Sequence, residues 1–220
     1  MYKIYFFLGS LHSFFLANAQ PAVKDEPRHH NVFENEYIRI LDVFLPPNDT
    51  TQYHIHSTPS VFTTFTKTAT ASQLIGGQPV KNISEAGYTW YDSLVTPRIH
   101  RVWNEDSTWF HVMDIELTSA KPRSNQPLLE ESSLQLQFNK PLANIYRLHL
   151  KAGDNMQLPA SATGYLLVSL GDAVMGYQEN NSRQRRIMKS GHYVWINRGL
   201  LSSITNVANT PSAFLLLQLK

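Results

Sequence analysis

Asn48-Asp49-Thr50-Thr51-Gln52-Tyr53-His54-Ile55-His56 places two histidines one residue apart just after a turn-rich stretch. In a strand, alternate side chains share a face, so His54 and His56 project to the same side about two residues' rise apart. A third histidine follows in Pro97-Arg98-Ile99-His100-Arg101-Val102-Trp103-Asn104. If His100 comes from a facing strand, three neutral imidazoles can converge on one ion. Imidazole is the commonest protein ligand for transition metals. Taken alone, the alternate pair is equally compatible with two histidines that hold no metal.

Working outward, the rest of the chain reads as short strands. Tyr37–Phe44, Ser60–Phe65, Trp109–Leu117, Asn144–Leu150, Gly164–Leu170 and Ala213–Leu219 are apolar or alternating runs. Turn residues punctuate them at Pro46–Asp49, Gly76-Gly77 and Ala152–Asn155, the pattern of a sandwich or barrel. Tyr146, Leu148 and Leu150 alternate with Arg147, His149 and Lys151, which predicts one dry and one wet face. Only Leu128–Leu134 offers a short helix. Residues 119–133 are polar, contain two prolines and read as a linker between residues 31–118 and 134–220. Each half is small for independent stability, so the two are expected to pack together.

Composition removes several function classes. The 220 residues include no cysteine, so disulfide scaffolds, thiol catalysis and thiolate metal sites are excluded. Lys and Arg number 19 against 17 Asp and Glu, a balance that argues against nucleic acid as a partner. The one basic run, Arg183–Lys189, reads as a solvated loop or strand edge. Lys3, the apolar stretch Ile4–Ala17 and Ala17-Asn18-Ala19 read as a secretory signal over residues 1–19, cleaved before Gln20. The apolar stretch is shorter than the ~20 residues a membrane span needs. The expected product is periplasmic or secreted, with no stable membrane insertion after cleavage. Residues 20–30 read as a flexible arm, with His29-His30 a solvated pair.

The histidine spacing resembles that of the cupins. Their first motif is a glycine, five residues, His-x-His, three or four residues, a glutamate, six residues and a glycine. Here Asn48 stands for the glycine, and Asn tolerates positive φ. His100 and Asn104 stand at the second motif's spacing, with Pro97 closer to His100 than in the family pattern. The glutamate should fall at Ser60 or Val61, and neither is a carboxylate. A weaker copy recurs in the second half. Gly153 precedes Pro159-Ala160-Ser161, and Gly191, Asn197, Gly199, Ser202 and Asn206 repeat the second motif with serine in the histidine's place.

The resemblance implies an all-β protein of two jelly-roll barrels packed as a bicupin, the first metal-binding and the second degenerate. It implies His54, His56 and His100 as ligands of a divalent transition metal, Fe, Mn, Ni or Zn. Ser60, Asn104, Arg98, Tyr53 and Phe62 are the surrounding candidates. Arg98, two residues from His100, suits a carboxylate or enediol oxygen, although an exposed strand-start arginine explains it slightly better. Three neutral ligands leave the ion's charge uncompensated, so an anionic group is expected there. The reaction stays open between a dioxygenase and an isomerase acting on a small organic or carbohydrate-like molecule. The alternative is a non-catalytic, sugar-binding or scaffold protein with a structural or vestigial metal. A homodimer is compatible with either.

Overall fold

The computed structural model describes residues 20–179, 182–200 and 202–220. The expected signal segment lies outside the described residues. Among the described residues, nine strands form the first half: β1 (His29–Glu34), β2 (Ile38–Leu45), β3 (His54–His56), β4 (Ser60–Thr64), β5 (Thr68–Leu74), β6 (Val80–Ser84), β7 (Thr89–Asp92), β8 (Arg98–Asn104) and β9 (Phe110–Leu117). Nine more form the second: β10 (Leu134–Asn139), β11 (Ala143–Leu150), β12 (Asn155–Leu158), β13 (Tyr165–Ser169), β14 (Ala173–Glu179), β15 (Ser182–Met188), β16 (Tyr193–Ile196), β17 (Ser202–Asn206) and β18 (Ser212–Leu219).

The two halves share one topology. The first has sheets β1-β2-β9-β4-β7 and β3-β8-β5-β6. Adding nine to each label gives the sheets of the second, β10-β11-β18-β13-β16 and β12-β17-β14-β15. Even the irregularity repeats, with a register shift between Asn31 and Phe33 and another between Leu136 and Phe138. The fold is therefore all-β, two antiparallel jelly-roll barrels in tandem.

The turn signals have a structural counterpart in both copies. Asn48 adopts φ 62° and Gly153 φ 81°. Asn104 donates through Nδ2 to the carbonyls of Leu45 and Thr108, while its Oδ1 accepts from the N–H of Asp106. Asn206 repeats this on Leu150, Lys151, Thr210 and Ala208. Each asparagine thus closes a turn where strands enter and leave its barrel. Asn104 is a structural clamp here and does not line the cavity described below.

Strand alternation divides the apolar residues between two destinations. Ile38, Ile40, Met113, Ile115 and Leu117 meet Ile145, Leu166, Val168, Leu215 and Leu217 in a core shared by the two five-stranded sheets. The other face of each sheet looks into its own barrel. Inside the second barrel, Tyr146, Leu148, Tyr165, Met175, Ile204 and Phe214 belong to one continuous packed cluster. Inside the first, the buried cluster among the described residues is Val43, Leu45 and Phe110, flanked by Val102 and Val112.

Two expectations need correction. Residues 20–30 are not a free arm. Val23–Asp25 form a 3-10 turn, Ala22 bridges Ile55, and the Ile55 N–H donates to the Pro21 carbonyl at 2.9 Å. The strap covers the otherwise bare edge of β3, and Val23, Glu26 and His29 are buried under it. Leu128–Leu134 is not helical, because the Leu129 N–H donates to the Tyr146 hydroxyl and Gln126 to Ser161, Thr163 and the Leu219 carbonyl, holding the linker along the second barrel. The alternation expected in β11 holds: Tyr146, Leu148 and Leu150 are buried, Arg147 is half-buried and donates to the Gly87 carbonyl of the first barrel, and His149 and Lys151 are exposed. The basic run is the exposed edge strand β15. Among the described residues, no helix is long and apolar enough to cross a membrane.

Candidate metal centre

β3 and β8 pair so that His54 lies opposite His100 and His56 opposite Arg98. All four side chains line a cavity of about 270 Å³ inside the first barrel. Its apolar side is built by Val43, Leu45, Phe110 and Val112. Phe62 lines it too, stacked on Trp90 at 4.9 Å between centroids and edge-on to His56 at 5.7 Å.

The ring centroids of His54, His56 and His100 form a nearly regular triangle, 4.8 Å from His54 to His100 and 4.9 Å on the other two sides. A fourth imidazole joins them. His29, at the start of β1, stands 4.6 Å from His54 by centroids. The ligating atoms of His29, His54 and His56 all lie within 4.8 Å of one another, so this group could hold a metal ion.

The rings are held from behind. His54 Nδ1 donates to the Gln52 carbonyl at 2.8 Å, and His29 Nδ1 to Glu26 Oε2 at 2.6 Å. His56 Nδ1 is 3.3 Å from Asp114 Oδ2. With Nδ1 facing an acceptor, Nε2 is left to bear the lone pair, the arrangement that orients metal-binding histidines. The Nε2 atoms of His54 and His56 are 3.0 Å apart. If His56 carries its proton on Nδ1, two lone pairs face each other. If it carries it on Nε2, a bare Nδ1 faces the Asp114 carboxylate. A positive charge between the two Nε2 atoms satisfies both ends. Two nitrogens about 2.1 Å from one ion and at right angles around it are about 3.0 Å apart, so the donors fit a transition metal.

Burial keeps the His54 and His100 rings neutral. It pushes His54 down to about 3, assisted by the neighbouring His29 and His56. It pushes His100 down to about 2, assisted by His56, His54 and Arg98. Glu26 is different. Burial raises it, but hydrogen bonds from His29 and from the N–H groups of Gln52 and Arg28 outweigh burial and leave it below the ordinary carboxylate range.

The surrounding candidates separate into two groups. Arg98 and Phe62 line the cavity. Arg98 Nη1 pairs with Asp92 at 2.5 Å, its Nε is buried without a partner, and its guanidinium lies 5.9 Å from the Phe62 ring centre. Tyr53 faces the other way. Being adjacent to His54 it must point outward, where its hydroxyl donates to Gln73 and Arg101 stacks on its ring at 5.0 Å. Ser60 is fully buried, its hydroxyl donating to the Thr58 carbonyl, and it does not line the cavity.

Sequence reasoning missed His29, Glu26 and Asp114. Asp114 had a signal: Asp114 and Glu116 alternate on the barrel side of β9, and buried carboxylates demand compensation. Both Asp114 oxygens lack a hydrogen-bond partner. Burial and the neighbouring Asp114 raise the pKa of Glu116, which pairs with Arg39 at 2.6 Å. Asp114 and Glu26 are buried carboxyl groups behind His56 and His29, which the expectation of three neutral ligands left out.

No family model and no curated protein sequence matches the chain. Solved structures do. Protein Ylba from E. coli superposes with a TM-score of 0.61 at 12% identity, over 93% of this chain and 88% of that one. A cupin 2 conserved barrel domain protein from Leptotrichia buccalis gives 0.57 at 10%, over 87% and 88%. The salicylate 1,2-dioxygenase of Pseudaminobacter salicylatoxidans gives 0.58 at 10%, over 83% and 71%. At such identities the likeness concerns fold. The chain is a protein of the cupin fold, with two cupin barrels in tandem and an imidazole cluster in the first.

Proposed function

We propose that the first barrel binds a divalent transition metal, Fe, Mn, Ni or Zn, through His54, His56 and His100, and uses it on a small organic molecule. One observation carries this reading: Nε2 of His54 and Nε2 of His56 face each other at 3.0 Å while an acceptor stands behind each ring. A bound metal would supply Lewis acidity or a place for O2 beside the substrate. The chain's own residues do the rest. Arg98 lines the cavity and offers its guanidinium to an anionic or enediol oxygen, and Asp92 fixes that guanidinium. Val43, Leu45, Phe110 and Val112 take a carbon skeleton and exclude water. The favoured activity is a metal-dependent dioxygenase or isomerase, and the fold likeness to a salicylate 1,2-dioxygenase is in keeping with the former.

The second reading is a non-catalytic binding or scaffold protein with a structural metal. The packed interior of the second barrel favours it, since apolar side chains form one buried cluster there, where the first barrel has its cavity. Metal analysis of protein from its native compartment, then O2 uptake and ligand-induced melting shifts, separates the two. Metal that leaves O2 untouched and ignores small organic acids supports the second. Absence of metal overturns both.

We also propose export, from the composition of residues 1–19. N-terminal sequencing of protein from the host should begin at Gln20, and a full-length chain in the cytosol would refute it.

A further inference from the structure

His29 lies on the first strand, yet its ring is part of the cluster built by β3. The connection runs through one residue, Gln52. The Gln52 N–H donates to Glu26 Oε1 at 3.0 Å, and the Gln52 carbonyl accepts from His54 Nδ1 at 2.8 Å. Glu26 Oε2 meanwhile accepts from His29 Nδ1 at 2.6 Å and from the Arg28 N–H at 2.8 Å. One buried carboxylate therefore holds the strap, the His29 ring and the approach to β3 together. With Nδ1 engaged, Nε2 is the nitrogen left to His29, and a ring nitrogen of His29 lies within 4.8 Å of ring nitrogens of His54 and His56. A dedicated buried acceptor costs desolvation, and a solvated arm histidine would not need one.

We infer that His29 is a further metal ligand and that residues 20–28 act as a clasp, fastened onto the barrel by the ion. This rests on the metal-binding reading above. It adds that the strap is coupled to metal occupancy: loaded protein holds the N-terminal segment down, and stripped protein holds it only by Glu26, Val23 and the pairing with β3.

The test uses the protein with Co(II) and Zn(II) as probes. Cobalt uptake is read from its visible absorption, and hydrogen exchange is followed at the Arg28 and His29 amides with and without zinc. Wild type should bind cobalt, and zinc should slow exchange in the strap. His29→Ala should weaken cobalt binding by roughly tenfold or more, change the absorption envelope and abolish the zinc-dependent protection. Glu26→Gln should lie between, and His30→Ala, an exposed neighbour, should match wild type. If His29→Ala binds cobalt like wild type with the same spectrum, or His30→Ala is equally damaging, the inference fails. Should His29→Ala not fold, strap exchange in wild type decides, and indifference to zinc overturns it. A wild type that takes up no cobalt, or His54→Ala that binds it undiminished, instead sinks the underlying metal reading.

Discussion

Asp114 stands behind His56 with Oδ2 3.3 Å from Nδ1, and neither carboxylate oxygen has a hydrogen-bond partner. A charge buried in that way is tolerated when something positive is coupled to it through the ring. Asp114→Asn should therefore lower metal affinity by roughly 10–100-fold, the usual cost of losing an outer partner of a ligating histidine. The metal-free variant should melt no lower than wild type, because an uncompensated buried charge has gone. Competition titration against a chelator and a melting curve read the two effects. Unchanged affinity would show that Asp114 does not serve the site.

The depressed histidines give the metal-free protein an acid-sensitive stability. His54 at about 3 and His100 at about 2 bind protons more readily unfolded, where histidine titrates near 6.5. Their contribution is complete above about pH 6.5 and is lost as pH falls toward the folded values, with a slope of up to about 1.4 kcal/mol per pH unit for each ring. Denaturant unfolding of metal-free protein at pH 7 and pH 5 should differ by a few kcal/mol. Replacing His100 by glutamine should flatten that dependence. Equal stability at both pH values would contradict the assigned burial.

Gly191 and Gly153 test the interface between barrels against a simple turn. Both have positive φ, 83° and 81°. A Cβ on Gly191 would come within 2.7 Å of His111 Cε1, whereas one on Gly153 meets nothing within 4 Å. The His111 ring cannot retreat easily, being stacked on Phe44 at 3.9 Å and bonded to Asp42 at 2.7 Å. Gly153→Ala should cost about 1–2 kcal/mol of backbone strain. Gly191→Ala should cost at least about 1 kcal/mol more, with overpacking added. Comparable losses in denaturant melts would mean the interface yields freely.

Asn104→Ala and Asn206→Ala should behave alike, each losing about 2–3 kcal/mol because buried carbonyls are left unpaired. Metal affinity should stay within about twofold for Asn206→Ala. A selective loss of metal in Asn104→Ala without loss of stability would return that residue to the site.

The readable parts of the fold were those governed by local rules. His54-Ile55-His56 declared a shared face through the two-residue period, and the same rule excludes Tyr53 from the cavity. Asn104 and Asn206 were visible as a repeated spacing because a turn needs the same side chain in both copies. Their role was not visible, since the partner carbonyls of Leu45 and Leu150 come from distant strands. His29 escaped notice for a similar reason. Its neighbours Pro27 and Arg28 suggest a loose arm, and only the meeting of Glu26 with Gln52 buries it. Arg98 was legible as a candidate but not as a half-occupied one, because Asp92 reaches it from another strand.

The unequal interiors of the two barrels imply a division of labour that duplication makes available. A lone barrel hollowed around four imidazoles forgoes much of the apolar burial that keeps a small domain folded. Here the twin retains Tyr146, Tyr165, Met175 and Phe214 and offers the hollow copy a broad apolar face to lean on. The solid twin then works as a foundation. Substitutions that enlarge or reshape the hollow one can accumulate while the common foundation carries the fold, and a new substrate preference can evolve in the first barrel at little risk to the whole.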